Sequence, residues 1–256
     1  MRATRVLGYV LVVLVLGAWE AAARVGAINP AFLPPPSAVA TAWLGYAASG
    51  DLATNLVATL SSWAQGFAIA AVLGVVLGVL MGLFPVVRAM LSTLAELLRP
   101  MPSVAIIPIA IVLLGLGDPM KRFVVAYAAL WPVLLNTLYG VLAVDPVLLD
   151  TARTFRLGAL RSALRVVLPA ASPFIATGLR ISTSIALILV ITAELVASRS
   201  GLGYAVRQAE QASRVPEVYA GVLTIAVVGY LLNAAFVAIE GRLLAWHRGY
   251  TAREAA

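Results

Sequence analysis

From Ser62 to Phe84 the chain carries no Asp, Glu, Lys or Arg at all. A helix that crosses the hydrocarbon of a bilayer needs about 20 predominantly apolar residues. Inside lipid it must also satisfy its own backbone hydrogen bonds. Such a run therefore reads as a transmembrane helix, and others like it follow along the chain. Of the 256 residues, 62% are hydrophobic and 11% charged, whereas soluble domains carry roughly 25% charged residues. Six spans would take up roughly 120 residues and leave short connections. The predicted fold is all-α, a polytopic membrane protein of about six transmembrane helices.

The first apolar run, Val6 to Ala23, follows Arg2 and Arg5. Ala21-Ala22-Ala23 resembles a small-residue cleavage site, but Glu20 interrupts the approach to it, so an uncleaved first span is expected. Residues 24–55 are more polar. Pro34-Pro35-Pro36 argues against helix there and predicts an extended external loop, with an amphipathic piece from Ala38 to Ala47 along the interface. The second span is placed at Ser62 to Phe84, with Gly74, Gly78 and Gly82 on one face. That spacing admits close backbone approach, either of a helix in the same chain or of a second copy. The third span, Leu91 to Leu116, contains Pro100, Pro102 and Pro108, each of which removes a helix hydrogen bond. The freed carbonyls must face protein or a watery cavity, so a broken helix beside a passage is expected, with Glu96 paired to Arg99. Gly117-Asp118-Pro119 reads as an external turn. The remaining spans are Phe123 to Val144, Ser172 to Val196 and Val218 to Glu240. By regions, 1–54 holds the first span and external loop, 55–241 the transmembrane core with a cytoplasmic segment at 145–169, and 242–256 a basic tail.

Cytoplasmic loops of membrane proteins are enriched in Lys and Arg. With both termini inside, eleven basic residues fall on the cytoplasmic side and six, including Lys121, outside, while Arg180 stays within the fifth span. The net charge of +7 then reflects loops against anionic lipid, not nucleic-acid binding. The chain has no cysteine and one histidine, His247, so thiol chemistry, disulfides and His-based metal sites are absent. A phosphate-cradling loop needs Gly-Lys followed by Ser or Thr, and no Gly-Lys pair occurs. The chain is read as non-catalytic, without metal or cofactor. Any ATP hydrolysis that drives it must come from another protein.

Residues 145–168 form the longest cytoplasmic loop and do not read as a loose linker. Leu148, Ala152 and Phe155 fall on one helical face, and Asp150 pairs with Arg153 one turn on. Beyond Gly158 a second helix places Leu160, Leu164 and Val167 on one side and Arg161 and Arg165 on the other. Like charges four apart repel, so this surface suits an anionic neighbour, either lipid headgroups or an acidic protein groove. Pro169 and Pro173 mark a turn into the fifth span.

This stretch resembles the EAA coupling loop of bacterial ABC importer permeases. Asp150, Thr151 and Ala152 occupy its first three places, and Val166, Leu168 and Pro169 match its Ile-x-Leu-Pro end. Thr151 replaces an alanine, and Arg156 stands where the motif has glycine, with Gly158 two places later. Further pieces are similar to the nitrate, sulfonate and taurine branch: Leu33-Pro34-Pro35-Pro36, Arg99-Pro100-Met101-Pro102, Gly115-Leu116-Gly117, Ala193-Glu194, Ser200-Gly201-Leu202-Gly203-Tyr204 and Trp246. The resemblance implies a type I importer fold in the cell inner membrane. It also implies two permease subunits, identical in this branch, two copies of a cytoplasmic ABC ATPase and an external substrate-binding protein. Asp150, Thr151, Ala152, Arg153, Arg156, Gly158, Leu168 and Pro169 would then couple to the ATPase.

A charge at the bilayer centre costs about 2.5–3.5 kcal/mol even on the lenient insertion scale. Glu194 should therefore face a polar partner or cavity, and it is assigned to an external gate. Trp131, Asn136 and Ser182, with Tyr127, Thr183 and Ser184, are candidates to line the path. Arg180 is expected to snorkel inward or to pair with Glu96. The alternative mechanism is an ion-coupled secondary transporter, against which stands the scarcity of deep carboxylates.

Overall fold

The computed structural model describes the backbone of residues 2–244 and the side chains of 10–244, and every regular element among them is helical. The elements are α1 (Arg2–Arg24), α2 (Pro36–Ala48), α3 (Asp51–Leu83), α4 (Pro85–Leu98), a 3₁₀ turn (Ser103–Ile106), α5 (Ile107–Leu114), α6 (Asp118–Leu142), α7 (Pro146–Thr154), α8 (Ala159–Ser162), a π turn (Ala163–Val167), α9 (Leu168–Ala197), α10 (Leu202–Gln211) and α11 (Val215–Leu243). Four helical stretches are long and apolar enough to cross a membrane: α3, α6, the continuous run 159–197, and α11. A fifth is the pair formed by α4 and 103–114, bent by 89°. The sixth apolar run of the sequence lies in α1. Trp246, His247 and the basic tail lie outside the described residues.

The chain divides into two compact units, one of Met1–Thr59 with Arg199–Val227 and one of Leu60–Ser198 with the residues from Val228 on. In the first unit residues 25–35 are irregular, as the prolines require, and the piece expected at Ala38 to Ala47 is the helix α2. Pro35 is extended, but Pro36 opens α2, because the first helical position has no use for an N–H and tolerates proline. Glu20 ties α1 to this start, accepting from Ser37 N at 3.0 Å and Ser37 Oγ at 2.8 Å, and from Arg24 at 2.6 Å. Trp43 Nε1 donates to Thr224 Oγ1 at 3.1 Å, and Tyr219 Oη to the Phe32 carbonyl at 3.0 Å. α2 is thus packed against its own chain. α10 starts at Gly201, whose φ of +109° favours glycine. Two of its first amides are capped from α3, Gly201 N by Asn55 Oδ1 at 2.9 Å and Leu202 N by Thr59 Oγ1 at 2.8 Å.

The second unit is organised around α6. Ser62, Gly66, Ala70, Gly74, Gly78 and Gly82 repeat every four residues, a spacing that keeps them on one face of α3. A β-carbon added at Gly66 would lie 2.6 Å from a Val125 methyl, at Gly74 2.7 Å from Val133 Cβ, at Gly78 2.6 Å from Thr137 Cβ and at Gly82 2.4 Å from a Val141 methyl. The two backbones therefore meet across a seam without side chains on the α3 side. On its other flank α6 meets α9: Gly140 sits under Phe174 and Gly178 under the Pro132 carbonyl and Asn136. Val124, Val125, Ala129 and Val133 of α6 are fully buried.

Several local expectations change. The proline-rich third span does break, at residues 99–102, but Pro108 sits harmlessly in the first turn of α5. Pro102 has no N–H for the Leu98 carbonyl four residues back, and Tyr127 Oη donates to that carbonyl at 2.6 Å. No ion pair joins Glu96 to Arg99; Arg180 reaches Glu240 on α11 and not Glu96. Asp118 is the first residue of α6, so the Gly117-Asp118-Pro119 turn is shorter than expected. Pro169 and Pro173 mark no turn, because the π turn before them widens the helix by one residue and carries it straight into α9.

The seam sets a test. In Gly78→Leu the side chain must displace Thr137 and the Leu134 carbonyl, which lies 2.8 Å from the would-be Cβ. Overpacking a core usually costs about 1–3 kcal/mol, sometimes more. We expect the variant to aggregate on detergent extraction or to melt several degrees lower; a monodisperse protein with the parent's melting temperature would refute the seam.

Candidate functional site

The segment 145–169 folds as a stiff hairpin. Asp145 caps α7 by accepting from Val147 N at 2.8 Å, with Pro146 in the first turn. Thr151 and Thr154 hydroxyls donate back to the Val147 and Asp150 carbonyls at 2.7 and 3.0 Å. Asp150 and Arg153 pair at 2.8 Å with both side chains exposed, an arrangement that contributes little energy. At the far end Arg156 N donates to the Arg153 carbonyl at 2.8 Å and Leu157 N to the Ala152 carbonyl at 3.0 Å. This double closure is the Schellman stop, whose left-handed residue is usually glycine. Arg156 occupies that place with φ +52°. The missing glycine therefore leaves the turn intact, at a conformational cost. Gly158 takes an ordinary extended φ of −64° and serves as the N-cap of α8; it is not the turn residue.

The base of the hairpin is anchored in the membrane unit. Val144 and Val167 are buried with Val141 and Ala171, and Leu149 packs against them. The expected single apolar face divides in two. Ala152 and Val167 are buried, whereas Val147, Leu148, Phe155, Leu160 and Leu164 are exposed, Phe155 by 74%. Leu168 and Pro169 begin α9, with Pro169 exposed.

The polar residues of the spans are mostly engaged within the chain. Ser182 is buried and donates to the Ala129 carbonyl at 2.7 Å, next to the Ala128 carbonyl that Pro132 leaves without its helical donor. Asn136 Nδ2 donates to the Pro132 carbonyl at 2.8 Å. Trp131 stands edge-on to Tyr127, ring centroids 5.6 Å apart. Thr183 hydrogen-bonds back to the Leu179 carbonyl at 2.9 Å. Gly74, Gly78 and Gly82 face α6.

Glu194 is fully buried near the end of α9, and 3.8 Å from its Oε1 lies Nζ of Lys121. Lys121, expected in a loop, is fully buried in the first turn of α6, 2.8 Å from Asp118 Oδ1. Ser62 Oγ donates to the same carboxylate at 3.5 Å. The signal for this cluster was present in the sequence, since Asp118 and Lys121 are one turn apart and Lys121 is the sole lysine. What hid it was the reading of Gly117-Asp118-Pro119 as loop.

The fold is a bundle of apolar helices carrying a helical hairpin at residues 145–169. Among solved structures the chain is similar to the inward-facing MetNI methionine ABC transporter, with a TM-score of 0.63 and 18% identity over 71% of this chain and 91% of that one. It is also similar to an amino acid ABC transporter crystallised with histidines, with a TM-score of 0.56, 18% identity, and 74% and 90% coverage. Residues 70–245 match the family described as binding-protein-dependent transport system inner membrane component, and the chain belongs to that family. The taurine transport system permease protein TauC of Escherichia coli (strain K12) is 34% identical over 91% of this chain and 86% of its own length. A Bacillus subtilis (strain 168) protein provisionally named as the aliphatic sulfonates transport permease SsuC is 32% identical over 95% and 88%. The bicarbonate transport system permease protein CmpB of Synechococcus elongatus is 36% identical over 74% and 66%.

The turn gives a direct test. A left-handed non-glycine residue costs roughly 1–2 kcal/mol, so Arg156→Gly should raise the melting temperature of the detergent-solubilised protein by a few degrees. Gly158→Ala, whose added β-carbon meets nothing within 4 Å, should leave it unchanged. The reverse order would show that the turn is misplaced.

Proposed function

We propose that this chain is the membrane-spanning half of an ATP-driven importer, passing a small molecule of the sulfonate, taurine or bicarbonate kind, or a vitamin precursor, from an external binding protein into the cell. Two copies of a cytoplasmic ATPase would drive it, a second identical permease would complete the passage, and both termini would lie in the cytoplasm of a multi-pass inner-membrane protein. The observation that carries the reading is the hairpin. Its first helix is capped at both ends and its base is rooted in the membrane core, yet Val147, Leu148, Phe155, Leu160 and Leu164 lie exposed among Arg153, Arg156, Arg161 and Arg165. An apolar patch rimmed by charge marks a contact with protein or membrane, and the family match favours protein here. A capped helix rooted in a packed core transmits displacement, which a flexible linker cannot do.

The family match supports the rest of the assembly. The 3₁₀ turn and α5 together cover only Ser103–Leu114, fewer than the roughly 20 residues a span needs. Irregular backbone at membrane depth must be covered by protein or line a watery path, which favours a second permease across this break. Glu194 would act at the external gate, and the 145–169 segment would be the coupling element of a 55–241 core.

Asp150→Arg and Phe155→Asp both alter exposed side chains, so the protein should insert and melt as the parent does. Each should lower ATP-driven uptake in proteoliposomes at least tenfold and weaken co-purification of the ATPase. Ala152→Arg is a poorer probe, because Ala152 is buried and the change would unfold the hairpin itself. Normal uptake by both exposed-site variants, or uptake driven by an ion gradient with no ATPase present, would overturn the proposal.

A further inference from the structure

Arg180 stands near mid-depth in the membrane unit. Gly178 of α9 and Gly74 of α3 both press against Val133 of α6, so the two glycines share one level. Gly74 in turn lies near the middle of the uncharged run from Ser62 to Phe84. Two residues beyond Gly178, the Arg180 side chain is nevertheless 42% exposed. Its partner Glu240, on α11, is engaged through Nη2 and is 14% exposed. The guanidinium makes no other hydrogen bond among the described residues, although its fork carries several N–H donors. Charged side chains at such depth face a partner or a water-filled cavity, not lipid. The surroundings of Arg180 along α9 agree. Thr177, Ile181, Ser184 and Ile188 follow one another at steps of four, three and four residues on one exposed stripe, the spacing of a single helix face. The Thr177 hydroxyl donates back to the Pro173 carbonyl at 3.0 Å. The exposed residues of α3 near that level, Val72, Leu73 and Val76, are all apolar. A cation flanked by hydroxyls suits water, where those three suit lipid tails.

We propose that Thr177, Arg180 and Ser184 form one wall of the passage, and that Arg180 recognises an oxyanion on the cargo, a sulfonate or a carboxylate. This deepens the importer reading given above and rests on it, narrowing the cargo to a molecule that carries such a group. A planar guanidinium matches the oxygens of an oxyanion and donates charge-assisted hydrogen bonds to them. With Glu240 holding Nη2, the charge is compensated while the passage is empty. The exposed part of the fork then receives an oxygen of the cargo as it passes. An oxyanion that shares its cation with a resident carboxylate is held weakly, which suits a site that must bind well enough to admit its cargo and loosely enough to release it.

The sequence has no cysteine, so single introduced thiols report on the passage in the full chain, in membrane vesicles of both orientations. Ser184→Cys should react at least tenfold faster with membrane-impermeant methanethiosulfonate reagents than Val72→Cys, which lies close to that level on α3. At Ser184→Cys the reagent bearing a sulfonate should be favoured at least fivefold over the one bearing a trimethylammonium, each rate being divided by that of a free thiol in solution. Adding Arg180→Gln should abolish this preference, and Arg180→Lys should keep most of it. Labelling of Ser184→Cys no faster than Val72→Cys, or a disulfide joining two copies of the Ser184→Cys chain in place of labelling, would overturn the proposal. So would a charge preference that is absent or that survives Arg180→Gln. The rates at Ser184→Cys are measured with Arg180 in place, so they decide even if Arg180→Gln fails to assemble. If the parent gave no ATP-driven uptake while Ser184→Cys labelled with the sulfonate preference, the importer reading alone would fail and the anion-recognising stripe would stand.

Discussion

Everything in the membrane unit depends on how closely α3 and α9 approach α6. Lipid tails are as apolar as leucine, so helices in a bilayer gain nothing by hiding leucines from lipid; they associate through close packing and hydrogen bonds. The stripe from Ser62 to Gly82 supplies the first of these along one flank of α6, and Gly140 and Gly178 supply it along the other. Because the seams run nearly the length of α6, they fix both of its ends. One end carries Asp118 and Lys121 toward Glu194, and the other delivers the chain to the capped start of α7.

Hydrogen bonding then accounts for polar residues that would otherwise be costly in hydrocarbon. Tyr127 serves the Leu98 carbonyl at the break before Pro102, Ser182 serves the Ala129 carbonyl beside Pro132, and Trp63 Nε1 donates to the Thr183 carbonyl at 3.2 Å. Buried polar groups are nearly always hydrogen-bonded, and at Leu98 it is Pro102 that creates the vacancy. A hydroxyl inside a span has two uses, lining a path or bracing a neighbouring helix. Residue type alone does not distinguish them; the partners of Ser182 and Tyr127 make both of them braces.

The hairpin shows how a departure from a familiar pattern can leave geometry unchanged. Arg156 takes the left-handed conformation that glycine would adopt, and the two closing hydrogen bonds fix it there. The seven-residue reach from Leu148 to Phe155 was legible as helix, but not which side chains the membrane unit would cover. Ala152 and Val167 are hidden because Val141, Val144 and Ala171 root the hairpin, and those contacts join residues far apart in sequence.

The sequence by itself determined the class of protein, through its resemblance to a known family, and also the approximate place of the apolar runs, the break near Pro100 and Pro102, and the helical hairpin. The last three follow from local rules: span length, the missing N–H of proline, and helical periodicity. Tertiary structure alone decided that Lys121 belongs inside with Glu194, that Arg180 pairs with Glu240 and not Glu96, and that Pro36 and Pro169 open helices while Pro173 is carried inside α9. Each of these is a choice of partner. A side chain's partner is set by where packed backbones bring distant residues together, and spacing along one segment does not carry that information.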